Sequence, residues 1–161
     1  MEGLRIVACF FSFVSLLLLI VALASDYWAV DPDGSSHVGL WRGCAGNTCI
    51  SYGMRVAGYF HATRAFLFMG MVAGAISCFG LCTSFFRTHI GSISIKVLAV
   101  SASFVAGVCS LIAMSTFTGV YNDIMLFAGT GFGWSFGVGW ASFPLFLITG
   151  GLAYKAISST P

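Results

Sequence analysis

Four uncharged, largely apolar runs of about 20 residues each constrain this chain more than any other feature. They are Ile6 to Ser25, Ala65 to Phe86, Val97 to Phe117 and Trp134 to Ala153. As helix each run is roughly 30 Å long, the thickness of a bilayer's hydrocarbon core. Backbone groups in hydrocarbon must be satisfied within their own segment, so each run is expected to be a transmembrane helix. Of the 161 residues, 58% are hydrophobic and 7% charged. A soluble domain carries about 25% charged residues, so most of this surface is expected to face lipid. Arg5 and the Ala22-Leu23-Ala24 triplet imitate a cleaved leader. The run between them is longer than the usual 7–15 or so apolar residues of a leader, and a first span is the preferred reading.

The expectation is therefore an all-α membrane protein, a four-transmembrane-helix bundle forming one domain over 1–161. Its spans are 6–25, 65–86, 97–117 and 134–153, joined by loops 26–64, 87–96 and 118–133. Both termini then share a side. Arg5, Arg87, Lys96 and Lys155 fall in the short segments of that side, whereas Arg42, Arg55 and Arg64 are spread over the longer loops opposite. The basic density is higher with the termini, which the positive-inside rule makes cytoplasmic, and loops 26–64 and 118–133 become the outer loops. Tyr27, Trp28, Tyr59, Tyr121, Trp134 and Tyr154 lie near predicted span ends, as an interfacial aromatic belt requires. The net charge of +2, with scattered basic residues, does not suit a nucleic-acid partner.

The first outer loop carries the densest information. Tyr27 to Val30 and His37 to Arg42 read as strands around the turn signal Asp31-Pro32-Asp33-Gly34, and Ile50 to Tyr52 could add a third. Within it, HVGLWRGCAGNTC holds Cys44 and Cys49. Zinc would need four ligands, and His37 and His61 lack partners at ligand spacing. A redox pair would normally be C-x-x-C on a βαβ unit, which is missing. A structural disulfide stapling a small extracellular β-sheet is the preferred reading, with free thiols the alternative. It fits the oxidising compartment outside the cell. Asn47-Thr48-Cys49 misses a glycosylation sequon.

The spans hold no charged residue, unlike the bundle interiors of pumps and transporters, so transport through the chain is not expected. Gly70 and Gly74, then Ala99, Ser103 and Gly107, then Gly133 and Gly137 recur at helix-packing spacing; packing within the bundle is preferred over packing between copies. Pro144 is expected to kink the fourth span. Cys9, Cys78, Cys82 and Cys109 read as small buried hydrophobes, with Cys82 a weak acylation candidate. Gly129-x-Gly131-x-Gly133 lacks the strand and helix context of a dinucleotide fingerprint and reads as a loop turn. His37, His61 and His89 stand apart from any nucleophile–carboxylate set, so neither enzymatic activity nor a cofactor or metal is expected.

Trp28, Gly39-Leu40-Trp41, Cys44 and Cys49 together resemble the W…GLW…C…C signature of the claudin, peripheral myelin protein and epithelial membrane protein superfamily. The four-span topology extends the resemblance over the whole chain. GLWRGCAGNTC, HATRAF and GWSFGVGW are similar to segments of its lens fibre membrane intrinsic protein branch. GYFHATRAF and ALASDYW are also similar to its natural killer cell granule branch. The resemblance implies that Trp28, Gly39, Leu40, Trp41, Cys44, Cys49 and Arg64 build the extracellular sheet and seat it on the bundle. Trp28 and Trp41 could pack on each other and on the membrane interface. Arg64 could cap loop carbonyls, pair with Asp26, or extend to the headgroups.

The function implied is cell–cell junction formation, adhesion or membrane organisation through the first outer loop. The alternative is a vesicle or cytotoxic-granule membrane protein supporting exocytosis, and a channel auxiliary subunit ranks third. The first outer loop is shorter than a claudin's and few charges follow Cys49, so a selective paracellular pore is not expected. The ending AISSTP lacks the Tyr-Val of many claudins, and no PDZ scaffold is expected to bind it. Expected partners are the lipid bilayer, and other membrane proteins or copies of the chain, met through outer loops and span faces. The membrane is expected to be the plasma membrane or that of a lysosome-related vesicle.

Overall fold

A computed structural model describes residues 2–51, 58–86, 89–90, 93–128 and 131–158. Arg55, Arg87 and Gly129 lie outside the described residues, as do the side chains of Tyr59 and Tyr121. Four helices dominate: α1 (Glu2–Ala24), α2 (Gly58–Thr83), α3 (Ile95–Ala128) and α4 (Trp134–Ser158). Each contains a stretch long and apolar enough to cross a membrane: Gly3–Ala24, Phe60–Thr83, Ile95–Gly119 and Trp134–Ala156. Around the bundle α1 packs on α2 and α4, and α3 packs on the same two.

The bundle is built for lipid. Large apolar side chains such as Phe10, Phe13 and Phe79 point outward, Phe79 being 73% exposed. The interior takes small and hydroxyl residues, among them Ser12, Ser77, Ser103 and Thr149. These let helices approach closely and give them polar contacts. Ser77 and Ser103 share a hydrogen bond between α2 and α3, and Ser15 lies 3.5 Å from Thr149 between α1 and α4.

Two helices depart from the hydropathy reading. α2 starts at Gly58 rather than 65, because the polar His61 and Arg64 lie on helix that runs up beneath the sheet. It ends at Thr83, and Ser84–Phe86 form a turn with the Ser84 hydroxyl donating to the Leu81 carbonyl. α3 has 34 residues, about 51 Å of helix, well beyond the hydrocarbon core. Most of the loop expected over 118–133 is thus helix. No proline or glycine interrupts Val120 to Ala128, so the chain has no local reason to stop earlier.

The remaining elements are strands. β1 (Ala29–Val30), β2 (Ser36–Val38), β3 (Arg42–Ala45) and β4 (Thr48–Ser51) come from the first loop. β5 (His89–Ile90) and β6 (Ile93–Ser94) form a hairpin at the opposite end of the bundle, and β7 (Gly131–Phe132) precedes α4. The large sheet is antiparallel, in order β4-β3-β2-β1-β7. The Asp-Pro-Asp-Gly turn forms as the residues dictate. Gly34 takes φ +74°, and its N–H donates to the Asp31 carbonyl at 2.9 Å. The Asp33 carboxylate accepts from the Ser35 N–H and hydroxyl, which hold its pKa below the usual carboxylate value. What this contributes is present above the unfolded pKa and is lost on acidification through the folded one.

Candidate functional site

The sheet is fastened to all four helices, and the signature residues do the fastening. α1 ends at Ala24, leaving its last carbonyls without helical partners. The Trp28 indole N–H donates to the Ala22 carbonyl at 2.7 Å, and the Trp41 indole N–H donates to the Leu23 carbonyl at 3.0 Å. Each tryptophan therefore caps the helix that precedes it. Trp28 is fully buried, edge-on to Phe117 of α3 at 4.8 Å and to Phe136 of α4 at 6.3 Å. Phe60 of α2 joins the same cluster against Phe117. Trp41 instead packs edge-on to Phe68. The two indoles thus go to separate sites, where the sequence suggested mutual packing.

Leu40 is buried, and its carbonyl accepts both Nε and Nη2 of Arg64, with Nε at 2.9 Å. The Arg64 guanidinium also lies over the Trp41 ring, 4.2 Å from its centroid. Arg64 is 4% exposed, which removes it from the headgroup role considered from sequence. Of the partners considered, the loop carbonyl is the one it takes. Asp26 pairs with Arg42 instead, Nε to Oδ2 at 2.8 Å. With the Arg42 side chain 59% exposed, such a pair contributes about 1 kcal/mol or less.

Gly39 packs where no side chain fits, since a Cβ there would lie 2.4 Å from the Asp26 Cα. At the start of α4, the Trp28 carbonyl accepts the Gly133 N–H and the Tyr27 carbonyl accepts the Ser135 N–H. N–H groups at the start of α4 are thus satisfied by the segment that leads into β1. The Ser135 hydroxyl accepts from the Ser25 hydroxyl at 2.6 Å and from the Tyr27 N–H at 3.2 Å.

Cys44 and Cys49 face each other across β3 and β4 and form a disulfide, with Cα atoms 4.0 Å apart. The hairpin turns at Gly46, whose φ is +61°. Loop closure over so few residues is worth about 2 kcal/mol. Cys44→Ser with Cys49→Ser is expected to lower the unfolding free energy by about that amount. Helix content by circular dichroism should not change. A melting profile that dithiothreitol leaves untouched would show that the disulfide does not stabilise the sheet.

Asp26, His37 and Cys44 place potential metal donors within 4.8 Å of one another. The Cys44 sulfur is bound in the disulfide and offers neither a thiolate nor a proton, so its 3.7 Å approach to Asp26 is a packing contact. His37 Nδ1 lies 2.9 Å from the Asp26 carbonyl, which can only accept, so Nδ1 carries the proton. Two usable donors remain, and no metal is assigned. The His37 ring stacks on Tyr27 at 3.9 Å, and Tyr27 stacks on Trp134 at 5.7 Å.

The expected packing residues divide. A Cβ on Gly70, Gly74 or Gly107 would meet Leu19, Phe146 or Leu147 respectively, and Ala99 lies against Gly80, all within the bundle. Ser103 bonds Ser77. Gly137 makes no such contact, since a Cβ there would find nothing within 4 Å, while Gly133 packs against the Tyr27 carbonyl just before β1 rather than against a helix. Pro144 lies inside α4. Sequence reasoning passed over Gly139, which meets Met114, and Gly150, which meets Phe104. Their small-residue spacing was visible, but the bulky partners came from distant segments.

The family described as PMP-22/EMP/MP20/Claudin matches residues 2–153. The chain belongs to that family. It is 30% identical to Protein NKG7 of Homo sapiens over 169 aligned positions, covering 100% of this chain and 96% of that protein. It is 32% identical to the Mus musculus counterpart, with 97% and 93% covered. Lens fiber membrane intrinsic protein of Rattus norvegicus is 32% identical, with 83% of this chain and 79% of that protein covered. As a member with four spans, the chain is an integral multi-pass membrane protein in a lipid bilayer.

Proposed function

We propose that this family member is a non-enzymatic organiser of membrane contacts that works through its stapled sheet, with termini cytoplasmic and the sheet outside the cell. In this reading the sheet touches neighbouring copies or an opposing membrane at cell–cell contacts. The observation that carries it is the rigid seating of a small sheet on all four helices, through Trp28, Trp41, Arg64 and the backbone at Gly133. Recognition surfaces are held by rigid scaffolds. The second reading, a vesicle or cytotoxic-granule protein supporting exocytosis, draws support from the resemblance of GYFHATRAF and ALASDYW to the natural killer cell granule branch.

Localisation of a C-terminally tagged full chain in confluent epithelial cells and in secretory lymphocytes separates the two. Enrichment at cell–cell contacts, lost in the Cys44→Ser, Cys49→Ser variant, is the expected result. Retention in lysosome-related vesicles without contact enrichment would transfer the proposal to the granule reading.

A further inference from the structure

Opposite the sheet, the bundle ends in a basic floor. Ala8 of α1, Leu81 of α2, Ala99 of α3 and Ala153 of α4 form one buried cluster. Residues three apart on a helix share a face. One turn nearer the end, below Ala8 and Ala99, stand Arg5 and Lys96; below Leu81 and Ala153 stand the buried Ser84 and Ala156. Arg5 and Lys96 therefore converge, and the charge of Arg5 acts on Lys96. Arg5 is also held by the Phe85 ring, 5.9 Å from its centroid. Among the described residues neither cation has an ion pair. Of the acids in the sequence, Asp26, Asp31, Asp33 and Asp123 belong to the sheet end, and Glu2 alone to this end.

Two cations brought together in a partly desolvated place repel unless an anion joins them. Beside them runs an apolar groove of about 570 Å³, lined by Met71, Phe79, Thr83, Ile95 and Leu98 among others. Its near end, at Thr83 and Ile95, is formed by the residues adjacent to Ser84 and Lys96. From Thr83 to Met71 it follows roughly 18 Å of helix, about the depth of one leaflet's hydrocarbon. We propose that Arg5 and Lys96 hold the phosphate of an anionic phospholipid whose acyl chain lies in this groove along α2, closed by Leu16 and Ile20 of α1 and by Ile95 and Leu98 of α3. The groove selects a lipid over a free phosphate, and the cation pair selects an anionic headgroup over a zwitterionic one. The assignment is independent of what the sheet contacts.

The test is native mass spectrometry of the full chain in neutral detergent, titrated with dioctanoyl phosphatidylserine or dioctanoyl phosphatidylcholine. Phosphatidylserine should be retained in preference. Arg5→Gln with Lys96→Gln should weaken that retention about 30-fold, two cations' worth of headgroup attraction. Arg5→Lys with Lys96→Arg should preserve it. Should the double glutamine variant not fold, the single variants carry the test, each with about a fivefold loss expected. Equal retention of the two lipids, or an equal loss in Lys155→Gln, would reduce the site to diffuse charge and overturn it. Glycerol phosphate displacing the lipid at matched concentration would overturn the part assigned to the groove.

Discussion

Gly133→Ala is expected to destabilise the protein by about 3 kcal/mol, at the upper end of overpacking penalties. A Cβ at this position would lie 2.1 Å from the Tyr27 carbonyl oxygen. The obstacle is backbone, so no rotamer change relieves it. The carbonyl cannot retreat without releasing the Ser135 N–H, and with it the fastening of β1 to α4. Gly137→Ala, one helical turn on, provides the comparison. It faces open space, so alanine should be neutral or stabilise by up to ~1 kcal/mol through helix propensity. Thermal unfolding in detergent, followed by tryptophan fluorescence, reads both. Equal melting temperatures for the two variants would show that the sheet is not locked to α4 as described.

Arg64→Ala should cost at least as much, about 3 kcal/mol or more. It removes charged hydrogen bonds to the Leu40 carbonyl, each worth about 1.5–3 kcal/mol, and leaves that buried acceptor without its guanidinium donors. It also removes a cation from the Trp41 face, worth up to about 2 kcal/mol when desolvated. The contributions overlap and do not add in full. Arg64→Lys keeps the charge but cannot present two donors in a fixed fork, so it should fall between alanine and the native residue. The order native, lysine, alanine in melting temperature is the result to look for. A lysine variant as stable as the native chain would mean that charge alone, without the fork, seats the loop.

Part of this site was legible in advance because its causes are local. Two cysteines with four residues between them can close a hairpin, and Asp-Pro-Asp-Gly makes a turn wherever it occurs. The GLW segment could be marked as a seat for the loop by resemblance, but its individual bonds could not. That Trp41 reaches back to Leu23, or that Arg64 selects Leu40 while Asp26 goes to Arg42, depends on distances between segments far apart in the chain. β7 escaped notice for the same reason. Gly131 and Phe132 have no strand signal of their own and become a strand because β1 offers an unpaired edge.

By itself the sequence determined that the chain crosses a membrane four times, since span length and the absence of charge are properties of contiguous residues facing a hydrocarbon solvent. It also placed the disulfide hairpin, whose closure needs no distant segment. Tertiary structure alone decided which glycines tolerate a side chain and which carbonyls the buried indoles and Arg64 satisfy. The physical reason is that these depend on a neighbour's position: Gly133 and Gly137 are the same residue four positions apart, and the Tyr27 carbonyl lies against only the first.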